Sequence, residues 1–318
     1  MSTDHVLGGL YGLLVGDAVG VPYEFADPKR LPPLNAIDMM PPEGFERSHE
    51  AAPQGAWSDD GAQALCLLAS LLHCGRVDLD DLGRRLLNWY DHGYLAVDNV
   101  VFDVGGQTAT ALASIRNGTP AAQAGPSQEG DNGNGSLMRV LPLALWHTGS
   151  DADLIEAAAL QSIVTHGHVR AQICCAAYCL WARATLNRQG DAWGHAVGVL
   201  RHYAAVRPSW RAELEAHVRP DARPHGTGSG YVVDCLHSAR FAAEEATYER
   251  AVQRAVSLGD DTDTTAAVAG GLVGLREGLR AIPERWLSGL AGREIVEPLA
   301  VGLLKHLNAK IGSASSGL

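Results

Sequence analysis

Apolar residues along the chain recur mainly with the 3.6-residue period of an α-helix. In the first such segment Val6, Leu10 and Leu13 share one side of a helix. The same period begins again at four later places: Leu65, Leu154, Ile173 and Ala267. Alternation of apolar and polar residues, the pattern of a half-buried strand, is nearly absent, and only residues 100–104 are ambiguous. The pattern predicts an all-α fold with many helices.

Three long segments rich in proline, glycine and polar residues interrupt the helical pattern: 22–55, 117–135 and 219–230. Loops of this length inside a compact domain are often functional. None resembles an interdomain linker, because motif-like residues lie on both sides of each. We therefore expect a single compact domain over residues 1–311, followed by a disordered tail, GSASSGL, at 312–318.

Composition narrows the classes of function. The 318 residues include 25 basic and 36 acidic side chains, a formal net charge of −11, so nucleic-acid binding is not favoured. The six cysteines have no framework spacing and suit a reducing compartment. The N-terminus lacks the features of a signal peptide, and the apolar stretch 266–275 is too short to cross a bilayer. We expect a cytoplasmic monomer that does not enter membranes.

Two acidic clusters stand immediately before predicted helices. The first is WSDDG at 57–61 and the second is GDDTDTT at 259–265. Carboxylate and hydroxyl oxygens are the ligands preferred by Mg²⁺ and Mn²⁺, whereas no Cys/His quartet with zinc spacing is present. Helix capping is the alternative, since Ser58 and first-turn aspartates suit a helix start. Surplus carboxylates in both clusters favour a divalent cation.

Two glycine-containing segments add candidate polar groups. Residues 16–24 end the first predicted helix, and Glu24 follows a proline turn from which a loop carboxylate could face a site. Residues 132–139, NGNGSLMR, could expose backbone N–H groups to a phosphate. The second segment is neither a P-loop nor a dinucleotide-binding fingerprint, because the Gly-Lys-Ser/Thr and the third glycine are missing.

In their order along the chain, these pieces resemble the ADP-ribosylglycohydrolase family, the proteins akin to dinitrogenase-reductase-activating glycohydrolase. The resemblance extends from about Gly8 to Pro298. Seven segments contribute to it: GDAVGVPYE (16–24), GAWSDDGAQAL (55–65), VFDVGGQTATAL (101–112), GNGSLMRVLPLAL (133–145), THGHVRAQ (165–172), GTGSGYVVDCL (226–236) and GDDTDTTAAVAGGLVG (259–274). Seven segments in the family's order are far more specific than any one of them.

The resemblance implies an all-α fold with a cleft that holds two divalent cations, Mg²⁺ or Mn²⁺. The implied metal ligands fall on two family motifs, Thr/Ser-Asp-Asp and Asp-x-Asp-Thr: Ser58, Asp59, Asp60, Asp261, Asp263 and Thr264. Asp260 is an additional carboxylate that we leave outside this set. Ser58 replaces the more usual threonine and keeps the hydroxyl, whereas Gly61 stands where the family often has a second threonine.

The resemblance also implies catalytic and substrate-binding residues. Glu24 matches a glutamate that in some members reaches the metal centre and gates the substrate. Asp103 matches an aspartate near the scissile bond in arginine-directed bacterial members. The positions that match phosphate, ribose and adenine contacts are Asn132, Gly133, Asn134, Gly135, Ser136, His166 and Tyr231. Without the family, His166 and His168 could equally belong to a capped helix end.

The implied activity is metal-dependent hydrolysis that removes ADP-ribose from a modified acceptor. The expected substrates are an ADP-ribosylated protein, modified on arginine, or a small-molecule acceptor, and the product is ADP-ribose. Asp103 or Glu24 would serve as the acid/base group. A cationic acceptor suits the net charge of −11 and a carboxylate at position 103. The alternatives are the same chemistry on serine-, guanidine- or nucleic-acid-linked ADP-ribose, and a non-catalytic ADP-ribose-binding or toxin-blocking immunity protein.

Overall fold

The part of the chain that the structure describes folds into fourteen α-helices. The computed structural model describes the backbone of residues 2–315 and the side chains of residues 2–310. The helices are α1 Thr3–Gly20, α2 Asp59–Cys74, α3 Leu79–His92, α4 Gly106–Arg116, α5 Leu141–Trp146, α6 Asp151–Ile163, α7 Val169–Leu186, α8 Ala192–Ala204, α9 Pro208–Glu213, α10 Val232–Ala242, α11 Tyr248–Val256, α12 Thr262–Glu277, α13 Glu284–Gly289 and α14 Arg293–Ser315.

The prediction of an all-α fold is confirmed. The described part of the chain contains no named strand, and the ambiguous residues 100–104 are irregular. One isolated antiparallel bridge joins Gly133 to Tyr231. Helix α14 continues through Ser315, and residues 316–318 of the predicted tail lie outside the described residues. The domain boundary at residue 311 therefore stays a prediction.

Helices α1 and α12 form the centre of the fold and pack at very short distance. Glycines recur every fourth residue along the contact face of α1: Gly8, Gly12, Gly16 and Gly20. A Cβ atom at Gly12 would lie 2.5 Å from the carbonyl oxygen of Gly270 on α12, and one at Gly20 would clash with the Cα of Asp263. The hydroxyl of Thr262 donates to the carbonyl of Gly20 at 2.8 Å, which joins the end of α1 to the start of α12.

Segment Thr3–Tyr23, which contains α1, is long and apolar enough to cross a membrane, and 94% of its apolar 18-residue window is buried inside the protein. It is longer than the apolar stretch at 266–275 that the sequence singled out. Its burial follows from its place against α12 in the core. No other helix among the described residues meets the same criteria.

The long segment at 22–55 crosses the end of α1 and returns to α2. It is tied down near its start, where the Phe25 N–H donates to the carbonyl of Asp260 at 2.6 Å and the Asp260 N–H donates to that of Ala26 at 3.1 Å. Further along, the Ser48 N–H donates to the carbonyl of Pro22 at 2.9 Å. These bonds place Glu24 over the starts of α2 and α12.

Candidate active site

The two acidic clusters meet where α1 ends and where α2 and α12 begin. Asp17, Asp60 and Asp263 each place a carboxylate oxygen within 4.8 Å of the other two, and all three side chains are buried. The hydroxyl of Thr264 donates to Oδ2 of Asp60 at 3.1 Å across the junction. Clusters about two hundred residues apart in sequence thus form one site.

Asp17 holds the start of α2 in place. Its two carboxylate oxygens accept from the backbone N–H groups of Ser58 at 2.9 Å and Gly61 at 2.8 Å. The Ser58 hydroxyl oxygen accepts from the Asp60 N–H at 3.3 Å, which is a helix cap, and the hydroxyl donates to Oδ2 of Asp60 at 3.1 Å. Ser58 therefore caps α2 and at the same time contacts a carboxylate of the acidic cluster.

The start of α12 is built differently, because Asp261 stands at the cap position without making a side-chain cap. Its Oδ2 instead accepts from the Asn134 amide at 2.8 Å. Asp260, by contrast, has an exposed side chain that lines the cavity described below, and its backbone pairs with Phe25 and Ala26. The second cluster therefore turns Asp261 inward, and the side chain of Asp260 stays exposed.

Several buried carboxylate oxygens in the cluster have no hydrogen-bond partner. They are Oδ1 of Asp60, Oδ1 of Asp261 and Oδ2 of Asp263. Unpartnered buried polar atoms are rare and costly. A hard divalent cation is the partner that such an all-oxygen set fits.

Burial raises the pKa of five aspartates at this junction: Asp17, Asp59, Asp60, Asp261 and Asp263. The pKa of Asp17 rises to about 7 and that of Asp261 to about 6, in both cases chiefly because burial disfavours the charged form. Burial and neighbouring carboxylates hold the pKa values of Asp59, Asp60 and Asp263 well above their usual range. Positive charge is what this site needs for its carboxylates to ionise at neutral pH.

A second group of titratable side chains adjoins the cluster. Glu24, His49 and Asp103 place nitrogen or carboxylate oxygen atoms within 4.8 Å of one another. Carboxylate oxygens of Asp103, Asp59 and Asp60 also lie within 4.8 Å of one another. His49 Nε2 is hydrogen-bonded to Oε2 of Glu24. Burial raises the pKa of Glu24 to about 11, and the charge of Asp103 adds to the effect. Burial lowers the pKa of His49, so its neutral ring can accept a hydrogen bond from the protonated Glu24 carboxyl.

Backbone conformations around this group are unusual. Phe25, His49, Asp103 and Asp260 all have positive φ, between 51° and 60°, although none is glycine. Such conformations cost free energy and persist where surrounding contacts enforce them, often at functional sites. Here they belong to segments that converge on Glu24.

The acidic cluster forms one wall of a cavity of about 420 Å³. Glu24, Asp59, Asp103 and Asp261 line it on the acidic side. The rest of the lining includes Gln107, Gly133, Asn134, Gly135 and His166. The cavity thus combines carboxylates with a glycine-rich polar wall.

A model of the ADP-ribosylglycohydrolase family matches residues 2–312. The chain belongs to the ADP-ribosylglycohydrolase family. An ADP-ribosylarginine hydrolase, Tri1, from Pseudomonas putida (strain GB-1) is 31% identical over 299 residues, 93% of this chain and 77% of the relative. The ADP-ribosyl-[dinitrogen reductase] glycohydrolase of Rhodospirillum rubrum is 30% identical over 298 residues, 90% of each protein.

A solved structure titled ADP-ribosylglycohydrolase-related protein complex aligns with a TM-score of 0.75 and 33% identity. The alignment covers 96% of this chain and 98% of the other. Family membership and the single-domain fold predicted from the motifs are thereby confirmed. So is the prediction that this ADP-ribosylglycohydrolase is an enzyme that hydrolyses a glycosidic bond.

Within this ADP-ribosylglycohydrolase, the predicted substrate-binding residues fall into two groups. Gly133, Asn134, Gly135 and His166 line the cavity. A Cβ atom at Gly135 would lie 2.8 Å from Cε1 of His166, so only glycine permits the close approach of this loop to the histidine ring. Burial lowers the pKa of His166 to about 3, and the ring is therefore neutral.

Backbone donors of this loop are partly used within the protein. The Gly133 N–H donates to Oε1 of Gln107 at 2.6 Å, and the Asn134 N–H donates to the carbonyl of Gly230 at 3.0 Å. These two groups are not free for a phosphate as the loop stands in the structure. The expectation of a backbone phosphate cradle therefore depends on the remaining residues of the loop.

Three predicted substrate-binding residues do not line the cavity: Asn132, Ser136 and Tyr231. The Asn132 amide donates to the carbonyl of Glu129 at 2.8 Å, and the Ser136 hydroxyl is 2.9 Å from that of Ser162 in the core. Tyr231 follows Gly230, a lining residue, and is 38% exposed. Its hydroxyl oxygen accepts from Arg170 at 3.1 Å.

The helix-end alternative holds for one of the two histidines. His168 caps α7, because its Nδ1 accepts from the Arg170 N–H at 3.2 Å. His166 is not part of that cap. Its Nδ1 lies 2.8 Å from the Thr165 hydroxyl, and its ring lines the cavity.

Asp17, His49 and Gln107 are site residues to which sequence reasoning gave no role. Asp17 offered a signal, since it is the only acidic residue between Asp4 and Glu24 in an otherwise apolar helix. Gln107 lies in segment 101–112, which resembles the family, but the resemblance assigned no role to this residue. His49 had no local signal, because it lies inside a long loop and reaches Glu24 only through the fold.

Proposed function

We propose that this enzyme is a metal-dependent ADP-ribosyl-acceptor hydrolase that releases ADP-ribose from modified arginine on a protein. The observation on which the proposal rests is the cavity wall. It combines a buried carboxylate cluster that has unpartnered oxygens with a separate acid/base group, Glu24 and Asp103.

Two divalent cations, Mg²⁺ or Mn²⁺, would be held by Ser58, Asp59, Asp60, Asp261, Asp263 and Thr264. Two overlapping groups of carboxylates support a pair of ions, because Asp60 belongs both to the group with Asp17 and Asp263 and to the group with Asp59 and Asp103. When bound, such cations supply Lewis acidity toward substrate oxygens and offset the repulsion among the carboxylates.

Hydrolysis breaks the bond between the anomeric carbon of the ribose and the acceptor nitrogen, and water supplies the new hydroxyl group. The acceptor nitrogen gains a proton as it leaves. Glu24 holds a proton because burial raises its pKa, and it faces the cavity, so it suits the role of proton donor. His49 fixes the orientation of the Glu24 carboxyl through their hydrogen bond.

Asp103 is proposed to face the guanidinium side of the bond. A guanidinium is planar, permanently charged and rich in N–H donors, so a carboxylate beside it forms a charge-assisted pair. A serine acceptor offers no such charge. The name of the Pseudomonas putida relative, an ADP-ribosylarginine hydrolase, supports the same acceptor.

The ADP-ribose moiety is proposed to lie along the glycine-rich wall. Asn134, Gly135 and His166 lie on the cavity surface, and Tyr231 adjoins it with an exposed ring on which an adenine could stack. Asn132 and Ser136 would not contact ADP-ribose directly. They would hold the loop in place, since their side chains are hydrogen-bonded to other residues of the protein.

The direct test is incubation of the protein with arginine-, serine- and DNA-linked ADP-ribose, each with and without EDTA. We expect release of ADP-ribose from the arginine-linked substrate and loss of the activity in EDTA. Equal turnover of the serine-linked substrate would contradict the acceptor assignment. A protein that binds ADP-ribose yet cleaves none of the three would contradict catalysis altogether.

The variant Asp103→Asn sharpens the acceptor assignment, because it keeps the shape and removes the charge. It should depress cleavage of ADP-ribosyl-arginine by about 100-fold or more, the usual contribution of an acid/base group. Affinity for free ADP-ribose should stay within twofold. Asp80→Asn is the matched control, since Asp80 is exposed in the first turn of α3 and outside the cavity.

A further inference from the structure

A buried polar chain lies directly behind Asp59, on the side away from solvent. Gln63 follows Asp59 by one turn of α2 and is completely buried. Its amide nitrogen donates to Oδ2 of Asp59 at 2.9 Å. Asp59 also lines the cavity, so it links the cavity to this series of hydrogen-bonded side chains.

Arg139 determines which way the Gln63 amide points. One guanidinium nitrogen, Nη1, donates to Oε1 of Gln63 at 3.0 Å. A guanidinium can only donate, so the carbonyl end of Gln63 must face Arg139 and the amide N–H₂ must face Asp59. The orientation of the glutamine is thus imposed by its neighbour.

Arg139 is itself held rigidly. It is completely buried, its Nε donates to Oε1 of Gln161 at 3.0 Å, and its Nη2 donates to the carbonyl of Gln161 at 2.9 Å. Gln161 is anchored in turn by donation to the carbonyls of Ser136 and Ala158, both at 3.2 Å. Among the described residues Arg139 forms no ion pair with a carboxylate. Its fixed positive charge therefore lies behind the carboxylate cluster without being cancelled.

We propose that Gln63 and Arg139 are positioning residues that orient the Asp59 carboxylate for cation binding. This inference rests on the proposed function, because it takes Asp59 as a cation ligand. Gln63 occupies Oδ2 with a hydrogen bond, which fixes the plane of the carboxylate and the direction of its other oxygen. Outer partners of metal-binding carboxylates tune affinity in this manner.

The test measures Mn²⁺ binding to the full-length, metal-stripped protein by isothermal titration calorimetry. Gln63→Met keeps the volume of the side chain and removes its donor and acceptor. The expected result is Mn²⁺ affinity about 10- to 100-fold weaker than wild type, the usual cost of losing such a partner. Thermal unfolding of the metal-free variant establishes that it is folded.

Gln63→Glu separates orientation from simple electrostatics. It retains an acceptor for Arg139 but has no N–H to donate to Asp59. Positioning predicts weaker Mn²⁺ binding than wild type, although the added negative charge alone would strengthen it. Gln253→Met is the matched control, because Gln253 is a buried glutamine of α11 whose amide donates to the carbonyl of Ile37 at 3.1 Å, outside the chain from Asp59 to Gln161. Its Mn²⁺ affinity should stay within twofold of wild type.

Each outcome bears on the inference. Folded Gln63 variants that bind Mn²⁺ within twofold of wild type would overturn it, even if their melting temperatures fall, because that result describes a purely structural glutamine. In that case a wild-type protein that binds Mn²⁺ and hydrolyses substrate would leave the proposed function intact. A wild-type protein that binds neither Mn²⁺ nor Mg²⁺ would overturn both.

Discussion

Removal of divalent cations should make the stability of this protein fall as pH rises from about 4 to 7. The reason is the raised pKa of its buried carboxyls, about 7 for Asp17 and about 6 for Asp261 against an ordinary value of 3.8. At any pH between the ordinary pKa and the raised pKa of such a group, the folded protein binds more protons than the unfolded chain. Stability therefore decreases with pH and is lost progressively up to the folded pKa.

The size of this loss of stability follows from the difference between the folded and the unfolded pKa of each group. Each pH unit of difference corresponds to roughly 1.4 kcal/mol. Ionising Asp261 in the metal-free fold therefore costs roughly 3 kcal/mol. Asp17, by the same reasoning, costs about 4 kcal/mol. Such amounts are a large share of the ~5–15 kcal/mol that a folded domain has in total.

Scanning calorimetry of EDTA-treated protein at pH 5 and pH 8 checks this prediction. We expect a lower melting temperature at pH 8, and restoration by Mn²⁺ of about 2.7 kcal/mol when its concentration is 100 times the dissociation constant. Asp261→Asn removes one titrating group and should reduce the difference between pH 5 and pH 8 by roughly 1.4 kcal/mol, because only about one pH unit of its titration window lies above pH 5. The reasoning is refuted if the metal-free wild type is as stable at pH 8 as at pH 5, or if Asp261→Asn leaves the slope unchanged.

Three further substitutions probe separate parts of the molecule. Asp60→Asn should lower kcat/KM at least about 100-fold with an unchanged circular dichroism spectrum, because Asp60 joins both groups of carboxylates; near-normal turnover would contradict its role. Gly12→Ala should destabilise the protein by roughly 1–3 kcal/mol in urea unfolding, since its Cβ would meet the carbonyl of Gly270; an unchanged midpoint would contradict the close packing. Tyr231→Leu should weaken ADP-ribose binding by about 1–3 kcal/mol in calorimetry if adenine stacks on the ring, and an unchanged affinity would place the adenine elsewhere.

The helical core and the meeting of the acidic clusters were accessible from the sequence. Ser58 followed by two aspartates and a periodic apolar run predicts the start of α2, and the structure begins that helix at Asp59. Surplus carboxylates at both helix starts favoured a divalent cation, because such groups repel one another without one. The family resemblance then implied that both clusters serve a single cleft, so local pattern and charge had to be combined with the order of the motifs.

Other features depend on contacts that no local pattern encodes. His49 reaches Glu24 across a loop whose path is decided by backbone bonds to Pro22 and Asp260. The N–H of Gly133 looked free for a phosphate in sequence, yet the side chain of Gln107 uses it. Hydrogen-bond competition of this kind is settled by tertiary proximity.

Packing and catalysis meet at Gly20, the last residue of α1. A Cβ atom there would clash with the Cα of Asp263, so the glycine lets the end of α1 approach the first turn of α12. The same approach brings Asp17, three residues earlier, within 4.8 Å of Asp60 and Asp263. A larger residue at position 20 would have to move α12 away and separate these carboxylates. Small residues along α1 are therefore a condition for assembling the acidic cluster as well as for filling the core.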